Sequence, residues 1–503
     1  MPSEFSLLRG LASLIDTLGR KGLPFLSTRN KKKDAVLFQH LLNVSFEDEQ
    51  EVAKATLGKG YAKKYYEVLR SNLKSELLST LFHLDLSREA FSEYAKAIYE
   101  SNRSVFITQT LQMLGLEALC VQLAIKGLEK AEKYELTANA IQFIDLLRSN
   151  VSRSGLQKES EAYTVRLETL LRDYSNELRI RKLLDELAVY YSTHGAQSTS
   201  VTKRAQVMMN EIDVIFSETP RFEVGFEYYR IKIIALESAS EYASAMEICN
   251  EALQFLDARP DFYSQSRYAS FTLSLIECSF HARDLDSAEN AIALCEPLFA
   301  TTNSNWFILA SYKFLTFMHR SRLNDASEVL NQVQHHVRYQ ALTTVTHQKW
   351  QLYGLYLQYA SAIDNKKAKA PTLSELKSFR SGAKEFAKDK SGYNFAIKLL
   401  EILLLFEDHN LRGLDNQIGS LRQYKQRHLK NEKDSQILVG YILDCIESFS
   451  KPKPSVASQT RRATETKRRL VALKIISGIQ VLPYAWVCDR VFKLNRDMRI
   501  EEE

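Results

Sequence analysis

The sequence predicts an all-α protein built from stacked antiparallel helix pairs. Three observations carry that expectation. Breakers are scarce: 17 Gly and 9 Pro in 503 residues, roughly 3% and 2% where average proteins carry about 7% and 5%. Apolar residues recur at helical spacing. A frame of small and apolar residues also returns three times: Tyr242, Ala245, Cys249 and Ala252; Leu285, Ala288, Ile292 and Cys295; Leu323, Ala326, Leu330 and Val333. Its copies begin 43 and then 38 positions apart. Steps of three and four hold each set on one helix face, where methyl side chains let a neighbouring helix approach closely.

At the amino end, SEFSLLRGLASLIDTL reads as an amphipathic helix with Ser3 as N-cap and Glu4 in the first turn. GRKGLPFLSTRNKKKD reads as a loop, AVLFQHLL and FEDEQEVAKATLG as short helices. A stronger helix is predicted from Tyr61 to Leu84 on the stripe Tyr61, Tyr65, Leu69, Leu73, Leu77 and Leu81. Residues 1–60 fit an N-terminal helical cap better than a winged-helix-like module, because no hairpin signal follows.

Residues 61–450 are expected to form the array of pairs. The three frames follow longer apolar helices, Phe226–Leu236, Tyr268–Phe280 and Trp306–Met318. WQLYGLYLQYA sets Trp350, Tyr353, Gly354 and Leu357 on one face. A helical glycine costs about 1 kcal/mol relative to alanine, so Gly354 suggests a point where a second helix crosses. Weaker copies are read at AEKYELTANAIQFIDLL (Tyr134, Ala138, Ile141) and at FAIKLLEILLLFEDHNLRGLDNQIGSL, and DNKKAKAPT reads as an exposed loop. Residues 451–469 hold Pro, Ser, Thr and cations without an apolar cluster, the composition of a basic flexible linker. Residues 470–503 turn apolar again and are expected to dock as a C-terminal helical element, since Trp486 would otherwise be exposed.

Trp350, Tyr353, Gly354 and Leu357 resemble the first helix of a tetratricopeptide repeat. Tyr242, Ala245 and Ala252 resemble its second helix, with Cys249 where that family usually carries Phe. The repeat length exceeds the family's usual 34 residues, no copy matches both halves, and the closing Pro is displaced. The resemblance covers about residues 220–430. It implies a right-handed superhelical solenoid with a concave face lined by the first helix of each pair. The layout also resembles bacterial helical-repeat proteins of this size.

Composition excludes few classes outright. Apolar residues at 45% and charged residues at 25% are ordinary for a globular chain. Six scattered cysteines without a CxxC pair read as reduced core thiols. In MPSEFSLLRGLASLIDTLGRKG the cations follow the apolar residues, the reverse of a secretory signal, and no uncharged run is long enough to span a bilayer. A cytoplasmic, non-membrane protein is expected. The net charge of +6 is concentrated at the ends, with 13 Lys/Arg against 9 Asp/Glu in residues 1–80 and 12 against 6 in residues 451–503.

Catalytic spacing is absent: no GxxxxGKS, GxGxxG, GxSxG or HExxH. LGKGY is too short for a phosphate loop. Cys278, His281 and Cys295, and the adjacent His335 and His336, read as core or surface residues rather than metal ligands. No cofactor is expected, and a non-enzymatic scaffold binding a protein or peptide in the groove is the first functional expectation. Its candidate lining is Glu227, Arg230 and Glu237 from one copy, Ser270, Leu273, Glu277 and Phe280 from the next, and Ser311 from a third. The protein's own C-terminal helix is the competing occupant of that groove. A nucleic-acid-associated regulator using the basic N- and C-terminal segments is the alternative, with Arg461, Arg462, Lys467, Arg468 and Arg469 as candidate polyanion contacts. No aromatics interleave these cations for base stacking.

Overall fold

The structure is a computed structural model. It describes residues 3–18, 32–43, 46, 48–84, 86, 91–194, 199–299, 305–365, 368–382, 392–429, 433–448, 455–473, 476 and 480–501. All regular structure among them is helical. The loop expected at 19–34 falls almost wholly outside the described residues, as do the first four residues of the expected linker. The chain divides into two compact units, Met1–Tyr174 and Ser175–Glu503.

In the first unit, α1 (Glu4–Leu18), α2 (Lys32–Leu42), α3 (Glu49–Leu57) and α4 (Lys63–Thr80) enclose one core. Ser3 caps α1 as expected, its Oγ accepting from the Ser6 amide at 3.1 Å. Tyr66, Leu69, Leu73 and Leu77 of α4 are buried with Phe5, Leu8, Phe38 and Leu41. The apolar faces of residues 1–60 thus have α4 as their partner. Tyr66, not Tyr65, joins the buried stripe. Next come α5 (Glu93–Met113), α6 (Glu117–Lys133), α7 (Thr137–Arg153) and the start of α8 (Gln157–His194). In α7 the buried face runs through Thr137, Ala140, Phe143, Ile144 and Leu147. Ala138 and Ile141, the positions expected inside, are only half-buried.

The second unit takes the rest of α8, then α9 (Thr199–Glu218). The pairs follow: α10 (Phe222–Ser238) with α11 (Tyr242–Asp257), α12 (Gln265–His281) with α13 (Leu285–Cys295), and α14 (Trp306–His319) with α15 (Leu323–Gln334). Each second helix also packs on the next first helix, and α12 touches both α10 and α14. Ala245, Ala288 and Ala326 are each 0% exposed, so the recurring small residues do lie where helices meet. Five helices complete the array: α16 (Thr344–Asp364), α17 (Leu373–Gly382), α18 (Tyr393–Glu407), α19 (Leu411–His428) and α20 (Lys433–Glu447). The close helix approach expected at Gly354 is found elsewhere. A Cβ on Gly354 would make an ordinary 3.6 Å contact with Leu330, whereas on Gly225 it would lie 2.7 Å from Cε2 of Phe255.

One turn recurs in both units. Seven helix pairs are joined by three residues whose middle member, Gly115, Glu135, Gly155, Ser240, Arg283, Ser321 or His409, is left-handed, with φ from 50 to 74°. The third residue's amide reaches back five positions, as in Glu241 to Leu236, Asp284 to Ser279 and Arg322 to Phe317, each 2.9 Å. This is the Schellman closure, which satisfies carbonyls that a helix end leaves open. Asp284 and Asn410 then cap the following helix through their side chains.

The segment expected as a linker is a helix from residue 456 onward, α21 (Val456–Ala472), capped by Ser455 and burying Ala463, Thr466 and Leu470. It packs on α20 and on α22 (Tyr484–Glu501). Ala463, Thr466 and Leu470, spaced at helical intervals, suffice once two helices flank them. That is why a composition without an apolar cluster misled.

Candidate functional site

The first helices of the second unit are tied to one another by polar side chains, among them Glu237 and Ser311 of the expected lining. Arg267 of α12 pairs with Glu223 of α10 at 2.7 Å and lies over the Phe222 and Phe226 rings. Arg230 pairs within α10 to Glu227 at 2.8 Å. Burial raises the Glu227 carboxyl above its ordinary range, and the Arg230 charge only partly offsets it. The Cys278 thiol of α12 donates to Glu237 Oε1 of α10 at 3.3 Å. Burial, reinforced by the neighbouring Glu277 charge, pushes Glu237 up to about 8. Burial first, then the neighbouring Glu277 carboxylate, raises the Tyr312 hydroxyl of α14 well above its ordinary range. Lys349 of α16 donates to Ser311 Oγ of α14 at 2.7 Å, and its ammonium is lowered to about 8 by burial.

The expected lining therefore divides. Glu227, Arg230, Glu237, Ser270, Leu273 and Glu277 stay half-buried along α10 and α12. Phe280 and Ser311 are 1% and 5% exposed, so neither is available to an outside partner. Phe280 belongs to the core beside Tyr312 and His319. Ser311 bonds back to the Phe307 carbonyl as well as to Lys349.

What the sequence did not signal is how the chain's own end covers these helices. The Ile476 amide donates to the His281 carbonyl at 2.7 Å, and His281 Nδ1 meets the Ile476 carbonyl at 2.8 Å. His319 Nε2 meets the Gln480 carbonyl at 2.8 Å. Burial lowers His319 to about 4, so the ring is neutral and donates from Nε2. Beyond them Val481, Leu482 and Tyr484 enter the main core. α22 is anchored by Arg490, which grips both carboxylate oxygens of Glu407 at 2.8 and 2.6 Å, while Tyr359 donates to the same group at 2.8 Å. Trp486 packs edge-on to Tyr359, as its size required. Ile476 and Gln480 thus lie at the C-terminal ends of α12 and α14.

The cations of α21 are mostly engaged. Arg462 pairs with Asp444 at 2.5 Å, Arg468 with Glu465 at 3.0 Å, and Lys467 with Asp489. Arg461 and Arg469 are exposed and have no ion pair among the described residues. Both line an open groove of about 950 Å³ beside α20. A second hollow of about 740 Å³ lies against α16 and α17, beside Gln348 and Trp350.

Among the described residues no group of three or more His, Cys, Asp or Glu could hold a metal, and no helix is long and apolar enough to cross a membrane. No family model matches the chain, nor does any curated protein or solved structure.

Proposed function

We propose that the protein is a non-enzymatic, cytoplasmic scaffold of the tetratricopeptide-like class, a right-handed superhelical array that binds a protein or peptide segment. The observation that carries this reading is the half-buried strip on α10 and α12, where Glu227, Arg230, Ser270, Leu273 and Glu277 offer both charges, a hydroxyl and an aliphatic surface. Mixed lining of that kind suits a polypeptide. The segment around Ile476 and Gln480 bounds the available face at the far ends of α12 and α14. The test is affinity capture from native lysate with wild type, Arg230→Glu and Leu273→Lys, each matched for thermal stability. Partners retained by wild type and lost by both variants support the reading. Identical captures from all three defeat it.

The alternative is a nucleic-acid-associated regulator, favoured by the exposed Arg461 and Arg469. The ion pairs of Arg462, Lys467 and Arg468 count against it, because they remove three of the five cations from phosphate neutralisation. Retention on DNA or RNA that falls steeply with salt and vanishes in Arg461→Glu/Arg469→Glu would favour it.

A further inference from the structure

The groove beside α21 has chemistry of its own. Along one face of α21 stand Arg461, Glu465 and Arg469, so the two guanidinium groups start about 12 Å apart at 1.5 Å per residue. Lys425 of α19 faces them across the groove. The same groove is lined by half-buried Ile437 and Leu473, with Gln436, Ser458 and Thr466 among them. Gly440 keeps the wall low beside Lys425: a Cβ there would come 3.1 Å from the Lys425 Nζ.

Both carboxylates of the lining are neutralised from within the fold, Asp444 by Arg462 at 2.5 Å and Glu465 by Arg468 at 3.0 Å. Lys425, Arg461 and Arg469 have no ion pair among the described residues. The surplus is three cations around a lining that includes the aliphatic Ile437, Ala472 and Leu473.

We propose that this groove binds an acidic peptide segment of a partner protein, its aliphatic side chains on Ile437 and Leu473 and its carboxylates on Arg461, Arg469 and Lys425. Guanidinium groups grip carboxylates with paired hydrogen bonds. A volume near 950 Å³ holds a few residues rather than a folded domain. Nucleic acid fits less well. Among the described lining residues the only aromatic, Tyr441, is 4% exposed and offers no face for stacking. The site is independent of the strip on α10 and α12, so the two readings fail separately.

The test uses the full-length chain and three fluorescein-labelled probes in anisotropy titrations: a peptide of Glu and Leu, a peptide of Lys and Leu of the same length, and a deoxythymidine oligonucleotide. The expected result is saturable binding of the Glu/Leu peptide alone. Its Kd should rise about tenfold or more in Arg461→Glu/Arg469→Glu, about 1.4 kcal/mol or more. Both residues are unpaired, so their replacement strands no carboxylate. Should that variant fail to fold, Arg461→Gln/Arg469→Gln replaces it, with the same direction of effect. Tighter binding of the oligonucleotide, an unchanged Kd in the double variant, or no binding of the Glu/Leu peptide each overturns the proposal.

Discussion

Replacing Ser240 and Ser321 by glycine should stabilise the second unit, although glycine normally weakens helical proteins. Both residues hold the left-handed position of a three-residue turn, with φ of 60 and 57°. Neither side chain makes a hydrogen bond among the described residues. A left-handed conformation costs an L residue roughly 1–2 kcal/mol. Glycine removes that cost but adds about 0.5–1 kcal/mol of unfolded-state freedom, leaving at the middle of both ranges a net gain of about 0.75 kcal/mol per site. The two turns belong to different helix pairs, so the effects should add to about 1–2 kcal/mol. With a urea slope of about 3 kcal/mol/M, the midpoint of the double variant rises by about 0.3–0.7 M. Ala239 provides the control. It lies one residue before Ser240 with φ of −84°, so Ala239→Gly adds freedom without relieving strain and lowers stability by about 0.5–1 kcal/mol. Urea unfolding of the full-length chain followed by circular dichroism measures all three. If Ser240→Gly lowers the midpoint as Ala239→Gly does, the shared-turn argument is wrong.

Gly225→Ala should cost about 1–3 kcal/mol, because its Cβ would press on the Phe255 ring; Gly354→Ala, which meets only Leu330 at 3.6 Å, should be neutral or stabilising by up to about 1 kcal/mol in the same assay. Arg490→Ala should release α22: the pair with Glu407 is only partly exposed, at 15% and 26%, and its loss should cost about 1–3 kcal/mol. Hydrogen exchange should then quicken in α22 while α5–α7 stay protected. His319 has a lowered folded pKa of about 4 against 6.5, so its contribution is complete above pH 6.5 and is lost as the pH falls toward 4; His319→Gln should flatten the stability profile in that window. Glu237 has the opposite sign. With its pKa raised from 4.5 to about 8, it favours folding below 4.5 and progressively disfavours it as the pH rises to 8. Glu237→Gln should therefore be most stabilising near pH 8.

Helical periodicity is a local property, which is why Ala245, Ala288 and Ala326 could be placed in the core from spacing alone. Spacing alone does not place Ala138, which is half-buried two positions from the buried Ala140. A single weak copy fits more than one helix register, and neighbouring helices choose between them. The turns left a partial trace. Gly115 and Gly155 mark the left-handed position openly, but Glu135, Ser240, Arg283, Ser321 and His409 conceal it. α21 was signalled by Ser455 and by the lack of Gly or Pro after it, yet its composition pointed to a linker. Of the candidate site, Glu227, Arg230 and Glu277 were legible as polar positions on first helices. The burial of Phe280 and Ser311 was not, because each is covered by residues distant in the chain.

The sequence by itself determined an all-helical chain, its pairing into short hairpins, the small residues at their contacts and the basic character of residues 456–469. Only the tertiary structure decided that Ile476 and Gln480 close over His281 and His319, that Glu407 holds α22 through Arg490, and that three of the five α21 cations are neutralised while Arg461 and Arg469 are left to a groove. The reason is range. Spacing along a helix is set within a few residues, whereas these pairings join side chains separated by up to 195 positions, and nothing in the intervening sequence encodes the distance between them.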